Sequence, residues 1–253
     1  MEQSATVEQP PVEQLSFIDK VAGVFYEPSN VFESFKTSPV KAVDWLVPVL
    51  LLAIIVGIAT YVKSSMPAVR YQVAQQVEQR LDKMVAQGKM TADQAERAKK
   101  PLENASTYGT VFGTFSAVVG RIIIFFAAAA VWLLIGKSIL KGNVSYTQMM
   151  CVAGISSWIM IVGTVVAVVL MVLLSRPDAG LHLGMLTRMN ASSKTYMLLR
   201  NADLFTVWNL AATSIGIGTL SGKKGALPFL WVFGIWVALT LIIAFITGRI
   251  LGG

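Results

Sequence analysis

One histidine and one cysteine in 253 residues leave little room for site chemistry. With His182 alone, no pair of imidazoles exists for a helical zinc site, and a serine–histidine dyad would have to be built on that one residue. Cys151 has no partner for an intramolecular disulfide and lies in an apolar stretch, where it reads as a small packing residue. Charge is scarce as well: 14% of residues are charged and 55% are hydrophobic, too little polar surface for a water-soluble domain of this length. A mean hydropathy of +0.63 agrees. The chain therefore reads as an integral membrane protein.

A spanning helix needs about 20 mostly apolar residues, because about 30 Å of hydrocarbon is crossed at about 1.5 Å per residue. Five segments qualify, at about 42–62, 107–140, 145–175, 204–222 and 225–248. The expected fold is all-α: a five-helix membrane bundle with N-terminal interfacial helices and an extramembrane helical hairpin between the first two spans. Residues 1–14 are acidic, Gln-rich and Pro-containing, without a basic or apolar export signal, and read as a disordered tail ahead of a membrane domain at 15–253.

Orientation follows from the short loops, where basic residues mark the cytoplasmic side. One turn holds Lys137 and Lys141, another Lys223 and Lys224, and neither contains an acid. Both are read as cytoplasmic, which puts the N-terminus inside and the C-terminus outside. The basic residues of the long loop 63–106 weigh less, since long loops translocate largely regardless of charge.

Within that loop, Val73, Val77, Leu81, Met84 and Val85 recur at helical spacing, and Gly88 can end the helix they define. Thr91 and Gln94 form a capping-box pattern for a second helix, which Pro101 stops. The result is an outer hairpin over 67–100. The charge-free stretch 142–175 is 34 residues, ~51 Å as a helix and longer than the bilayer core. The second and third spans are accordingly expected to rise past the outer leaflet and carry the hairpin on their sides; a hairpin lying on the membrane is the competing reading.

Ahead of the first span, LSFIDKVAGVFYEPSNVFESFKTSP predicts two short amphipathic helices within 15–40. They are broken at Pro28, with a cap at Asn30 answered by Glu33, and they lie at the cytoplasmic interface. Phe25, Pro28 and Phe32 mark their apolar side.

Single residues are read against their cheapest roles. Asp203, at the head of the fourth span, is a helix cap, with an ion pair to Arg200 or Arg121 as the alternative. Phe205 and Trp208 are interfacial anchors or packing contacts. Arg121 is costly if deep, but it and Lys137 are 16 steps apart, ~24 Å, so the two can snorkel to opposite headgroup zones. Gly109, Gly113 and Ala117, and Ala212, Gly216, Gly218 and Gly222, give small-residue spacings suited to close helix packing. GTLSGKKG has three residues between its glycines, not the four of a phosphate loop, and Lys where Ser or Thr should follow. Asp44 and Asp203 are expected at opposite faces, which excludes an aspartyl pair. No catalytic, cofactor or metal residue is assigned. The net charge of +7 suits anionic headgroups and not nucleic acid, since no basic domain stands apart from the membrane.

The elements FYEPSNVFESFKTSP, DLFTVWNLAATSIGIG and KKGALPFLW, in that order within residues 15–250, resemble the prokaryotic form of the Yip1 domain family. The resemblance implies a five-span protein with a cytoplasmic N-terminus and a role in association, not catalysis. Eukaryotic members bind Rab-class GTPases, and some bacterial members sit beside ABC exporters of the macrolide-efflux type; the charged outer hairpin departs from the compact eukaryotic pattern. The expected function is thus a non-enzymatic protein of the bacterial inner membrane that binds or helps assemble other membrane proteins, such as an ABC exporter. Membrane lipids are its other partners, and a homo-oligomer is compatible with the small-residue spacings. The alternative is a small transporter or channel with a polar path through Arg121 and Asp203.

Overall fold

A computed structural model of the protein describes residues 15–99, 102–187 and 193–250. The tail expected at 1–14 and the helix stop expected at Pro101 lie outside the described residues. The helices are α1 (Phe17–Tyr26), α2 (Pro28–Thr37), α3 (Val43–Ser65), α4 (Pro67–Ala86), α5 (Ala92–Lys99), α6 (Leu102–Leu134), α7 (Tyr146–Leu173), α8 (Lys194–Asn201), α9 (Leu204–Leu220) and α10 (Ala226–Ile250). A π-helical turn, Ile135–Ile139, extends α6, and a 3-10 turn, Leu183–Leu186, precedes α8. No strand occurs among the described residues beyond one antiparallel bridge between His182 and Asp203.

Local chemistry sets several boundaries. Ser16 accepts from the Asp19 amide while the Asp19 side chain accepts from Ser16, so α1 starts on a complete capping box. Ser145 and Gln148 start α7 in the same way, and Thr91 and Gln94 start α5 as the sequence predicts. Gly88, past the end of α4, has φ +65°, a conformation glycine adopts freely. The cap expected at Asn30 is a correction. Proline preset at the helix N1 position wins, so α2 begins at Pro28 behind Glu27 and Asn30 lies within it.

Four helices are long and apolar enough to cross a membrane: Val43–Ser65, Tyr108–Ile139, Tyr146–Leu173 and Ala226–Ile246. The fifth expected span, α9, has 17 residues, ~26 Å, shorter than the usual spanning length. Its start is recessed. Phe205 meets α7 at Gly163, ten residues before Leu173, or ~15 Å along α7. The Arg176–Thr187 segment reaches back to join it: Leu183 N donates to Ala202 O, and Leu204 N to Leu181 O.

At the centre lies α7, buried without interruption from Met149 to Ser157 and packed against α3, α6, α9 and α1. An apolar helix with no polar face belongs in such a position. Helices α1 and α2 turn their apolar sides, Val24, Val31, Phe32 and Phe35, into this core and keep Asp19, Glu27, Asn30, Glu33 and Lys36 outward. They are therefore built into the wall of the bundle and do not merely rest on its surface. Gly216 makes room for Phe32: a Cβ there would sit 2.7 Å from Val152 and 3.1 Å from the Phe32 ring. Gly109 and Gly113 of α6, by contrast, face open space, so the small-residue spacing serves packing in α9 and not in α6.

The hairpin expected over 67–100 is present as α4 and α5, but its carriage differs from the expectation. Helix α4 packs chiefly on α5 and on the adjoining α3. Leu81 is its one buried residue, and Tyr71 and Val73 are exposed.

Candidate functional site

Charged groups gather at two places along the bundle. The first joins α1 to the head of α3. Lys20 Nζ donates to both carboxylate oxygens of Asp44, at 3.1 and 3.0 Å, with both side chains almost wholly out of solvent. The ammonium lies 4.7 Å from the centroid of the Phe35 ring, a cation–π arrangement that strengthens on desolvation. Lys41 N donates to Asp44 as well, at 3.4 Å. On the far side, Gly154 of α7 lets the α3 backbone come close: a Cβ there would sit 2.5 Å from Trp45 Cα and 2.9 Å from Asp44 O.

The sequence expectations placed Asp44 only at the opposite face from Asp203 and did not pair it with Lys20. A signal was present. Lys20 shares one helical face with Phe17, Gly23 and Val24, and a lysine on an apolar stripe needs a buried counter-charge.

Around this junction, Phe25 meets Trp208 edge to face, with centroids 5.7 Å apart, and so ties α1 to the upper part of α9. Pro28 opens α2. Phe32 is fully buried. Of the residues that mark the apolar side of this segment, Phe32 thus offers no surface to a partner, and Phe25 is half-buried against Trp208; Tyr26 and Ile18 are its exposed large apolar side chains.

The second place is where α3 ends, α7 ends and α9 begins. Asp203 caps α9: its Oδ1 accepts from Phe205 N at 2.9 Å and from Thr206 N at 3.3 Å. Phe205 lies flat against Gly163, where a Cβ would be 2.5 Å from Phe205 Cβ. Below the Arg176–Thr187 segment, a groove of about 390 Å³ is lined by Val56, Thr60, Lys63, Gly163, Arg200 and Asp203 among others. A second cavity of about 720 Å³ adjoins it and faces α4. The two share Lys63, Pro177, Asp178 and Arg200.

Asp178 is well occupied. Arg176 reaches both of its oxygens, at 3.3 and 3.0 Å, and the Tyr196 hydroxyl donates to Oδ2. Burial raises the Asp178 carboxyl, but the bonds from Tyr196 and Arg176 outweigh it and hold the group below its ordinary range. Burial, then the Asp178 carboxylate, pushes the Tyr196 hydroxyl up. His182 is buried beneath; its Nε2 lies 2.8 Å from the Asp178 carbonyl oxygen, an acceptor, so that nitrogen carries the proton.

Arg121 stands apart, half-buried on α6, and does not line the groove that holds Asp203. Nor are the two acids Asp44 and Asp203 together. Asp44 meets α7 at Gly154 and Phe205 meets it at Gly163, nine residues or ~13 Å apart along the helix. No group of three His, Cys, Asp or Glu side chains suited to a metal occurs among the described residues. The first site, with its cation paired and sealed, can anchor helices; the second can also offer cations to a ligand.

No curated protein and no solved structure shows a significant match to this chain. Residues 22–248, nearly the whole membrane domain from the middle of α1 to the last turn of α10, match the family model of the Yip1 domain, and the chain belongs to that family.

Proposed function

We propose that this Yip1-domain membrane protein is non-enzymatic and binds other membrane proteins, assisting the assembly of an ABC-type export complex in the bacterial inner membrane. In this reading the N-terminus is cytoplasmic and the α4–α5 hairpin is the external contact element. One observation carries it: α4 leaves the bundle with Leu81 as its one buried residue and presents Tyr71 and Val73 to the surroundings. A helix of that length with so little cover is a natural seat for a second protein. The outward side of α1 and α2, with Tyr26 and Ile18 among polar residues, is the second contact surface. The transporter reading has less support, since Arg121 does not line the groove around Asp203.

The test is affinity purification in mild detergent of the full chain and of a chain with residues 67–100 replaced by a flexible Gly-Ser linker. Membrane-protein partners recovered with the full chain and lost with the replacement support the proposal. Recovery of no partner with either chain would sink it.

A further inference from the structure

The two adjoining cavities at the Lys63 end of the bundle differ in character, and a charged gate joins them. The groove between α3, α7 and α9 has an apolar wall that includes Val56, Ala59, Met160, Ala167 and Phe205. The cavity toward α4 is polar, with Gln72, Gln75, Gln76 and Gln79 along one side. Lys63 and Arg200 line both.

The acids nearby are already engaged. Asp178 is held by Arg176 and Tyr196, and Asp203 is spent on the amides that open α9. Neither Lys63 nor Arg200 has a salt bridge or side-chain hydrogen bond among the described residues. Two cations therefore flank the passage without an ion pair of their own, beside an Asp178 carboxylate already bonded to Arg176 and Tyr196, at the end of an apolar span where lipid headgroups lie.

An apolar slot, a cationic gate and a chamber of side-chain amides, in that sequence, match the parts of one kind of molecule. We infer that this end of the bundle binds an anionic glycerophospholipid with a hydroxylated headgroup. An acyl chain lies in the groove, the phosphate sits between Lys63 and Arg200, and the headgroup hydroxyls meet the α4 glutamines. Arginine and lysine are the usual phosphate partners, arginine through its fork and lysine as a point charge. Amide side chains both donate and accept, as hydroxyls require. A free phosphate ion would use the gate but leave the groove and the glutamines without purpose. Lipid is the source the geometry favours.

The test uses the full chain in nonionic detergent. Its unfolding temperature and bound-lipid mass spectrum are recorded with phosphatidylglycerol, with phosphatidylcholine and with inorganic phosphate. Phosphatidylglycerol should bind at least about tenfold more tightly than phosphatidylcholine, and R200Q should lose about tenfold, the loss expected of one charge-assisted contact. K63Q/R200Q should lose the preference altogether, while K223Q/K224Q at the other end should keep it. A59W should fill the groove and weaken phosphatidylglycerol with both cations intact. Arg200 is exposed, so R200Q alone decides the matter if the double variant does not fold. Equal binding of the two lipids, or unchanged binding in R200Q, would overturn the inference. So would a full stabilising effect from inorganic phosphate that A59W leaves untouched.

Discussion

Lys20 of α1 and Asp44 of α3 form a two-pronged ion pair, 3.1 and 3.0 Å from nitrogen to oxygen, sealed from solvent beside the Phe35 ring. Among the described residues it is the one ion pair that holds the N-terminal helices to the bundle, where Gln148 Nε2 of α7 also donates to Phe35 O of α2. The desolvation cost of such a pair is met only while both members are present.

Removing one member should therefore hurt more than removing both. Lys20→Met or Asp44→Leu alone is expected to cost about 3–5 kcal/mol, as an unpaired charge is left in the interior. The combined K20M/D44L chain should recover most of that loss. Thermal unfolding of the three variants in detergent checks this, and a double variant as unstable as the sum of the singles would refute it.

Gly154 and Gly113 should respond in opposite directions to the same added methyl group. A Cβ at Gly154 meets the α3 backbone at 2.5 Å, and backbone cannot step aside as a side chain can. Gly154→Ala should cost about 1–3 kcal/mol or more through overpacking. Gly113 faces open space on α6, so Gly113→Ala should be neutral or gain up to about 1 kcal/mol from helix propensity. Unfolding temperatures of the two variants decide it.

At the head of α9, loss of the Asp203 cap should be modest and specific. Asp203→Ala removes the acceptor of two helix amides and should cost about 1 kcal/mol, whereas Asp203→Asn keeps a capping oxygen and most of the stability. Faster hydrogen exchange at the Phe205 and Thr206 amides, with the far end of α9 unchanged, is the expected local sign.

The Arg176–Thr187 segment should show a pH window. A depressed Asp178 carboxyl contributes stability above about 3.9, its unfolded value, that disappears as pH falls through the lower folded value. The raised Tyr196 hydroxyl contributes stability below about 10 that disappears as pH rises through its higher folded value. Protection of the Leu183 and Leu204 amides, which bridge this segment to α9, should hold between those limits and fall outside them. Tyr196→Phe should flatten both edges; an unaltered profile in that variant would rule out the pair as the cause.

What was legible in the sequence was whatever local chemistry decides. Apolar run length located α3, α7 and α10, the Thr91–Gln94 box located α5, and Asp203 was readable as a cap because its carboxylate serves amides only two and three residues on. The Asn30–Glu33 pattern misled for a local reason too, since Pro28 can start a helix without a side-chain cap. The misses are nonlocal. Lys63 and Arg200 come to one gate only because the segment after α7 folds back to start α9 beside Gly163, and nothing in either neighbourhood announces that return. The same fold-back leaves α9 at 17 residues, so counting five full spans overstates its length.

The seating of Phe25 on Trp208 and of Phe32 on Gly216 means that helices made before the spans complete the structure with one made much later. At about 5–20 residues per second, ribosomal synthesis leaves α1 and α2 waiting ~10–40 s before α9 exists to receive them. Their greasy sides must meanwhile be parked on the bilayer surface or held by a chaperone. Assembly thus finishes at helices made before any span, and a nascent chain stalled before Trp208 should leave α1 and α2 open to protease where the finished protein does not.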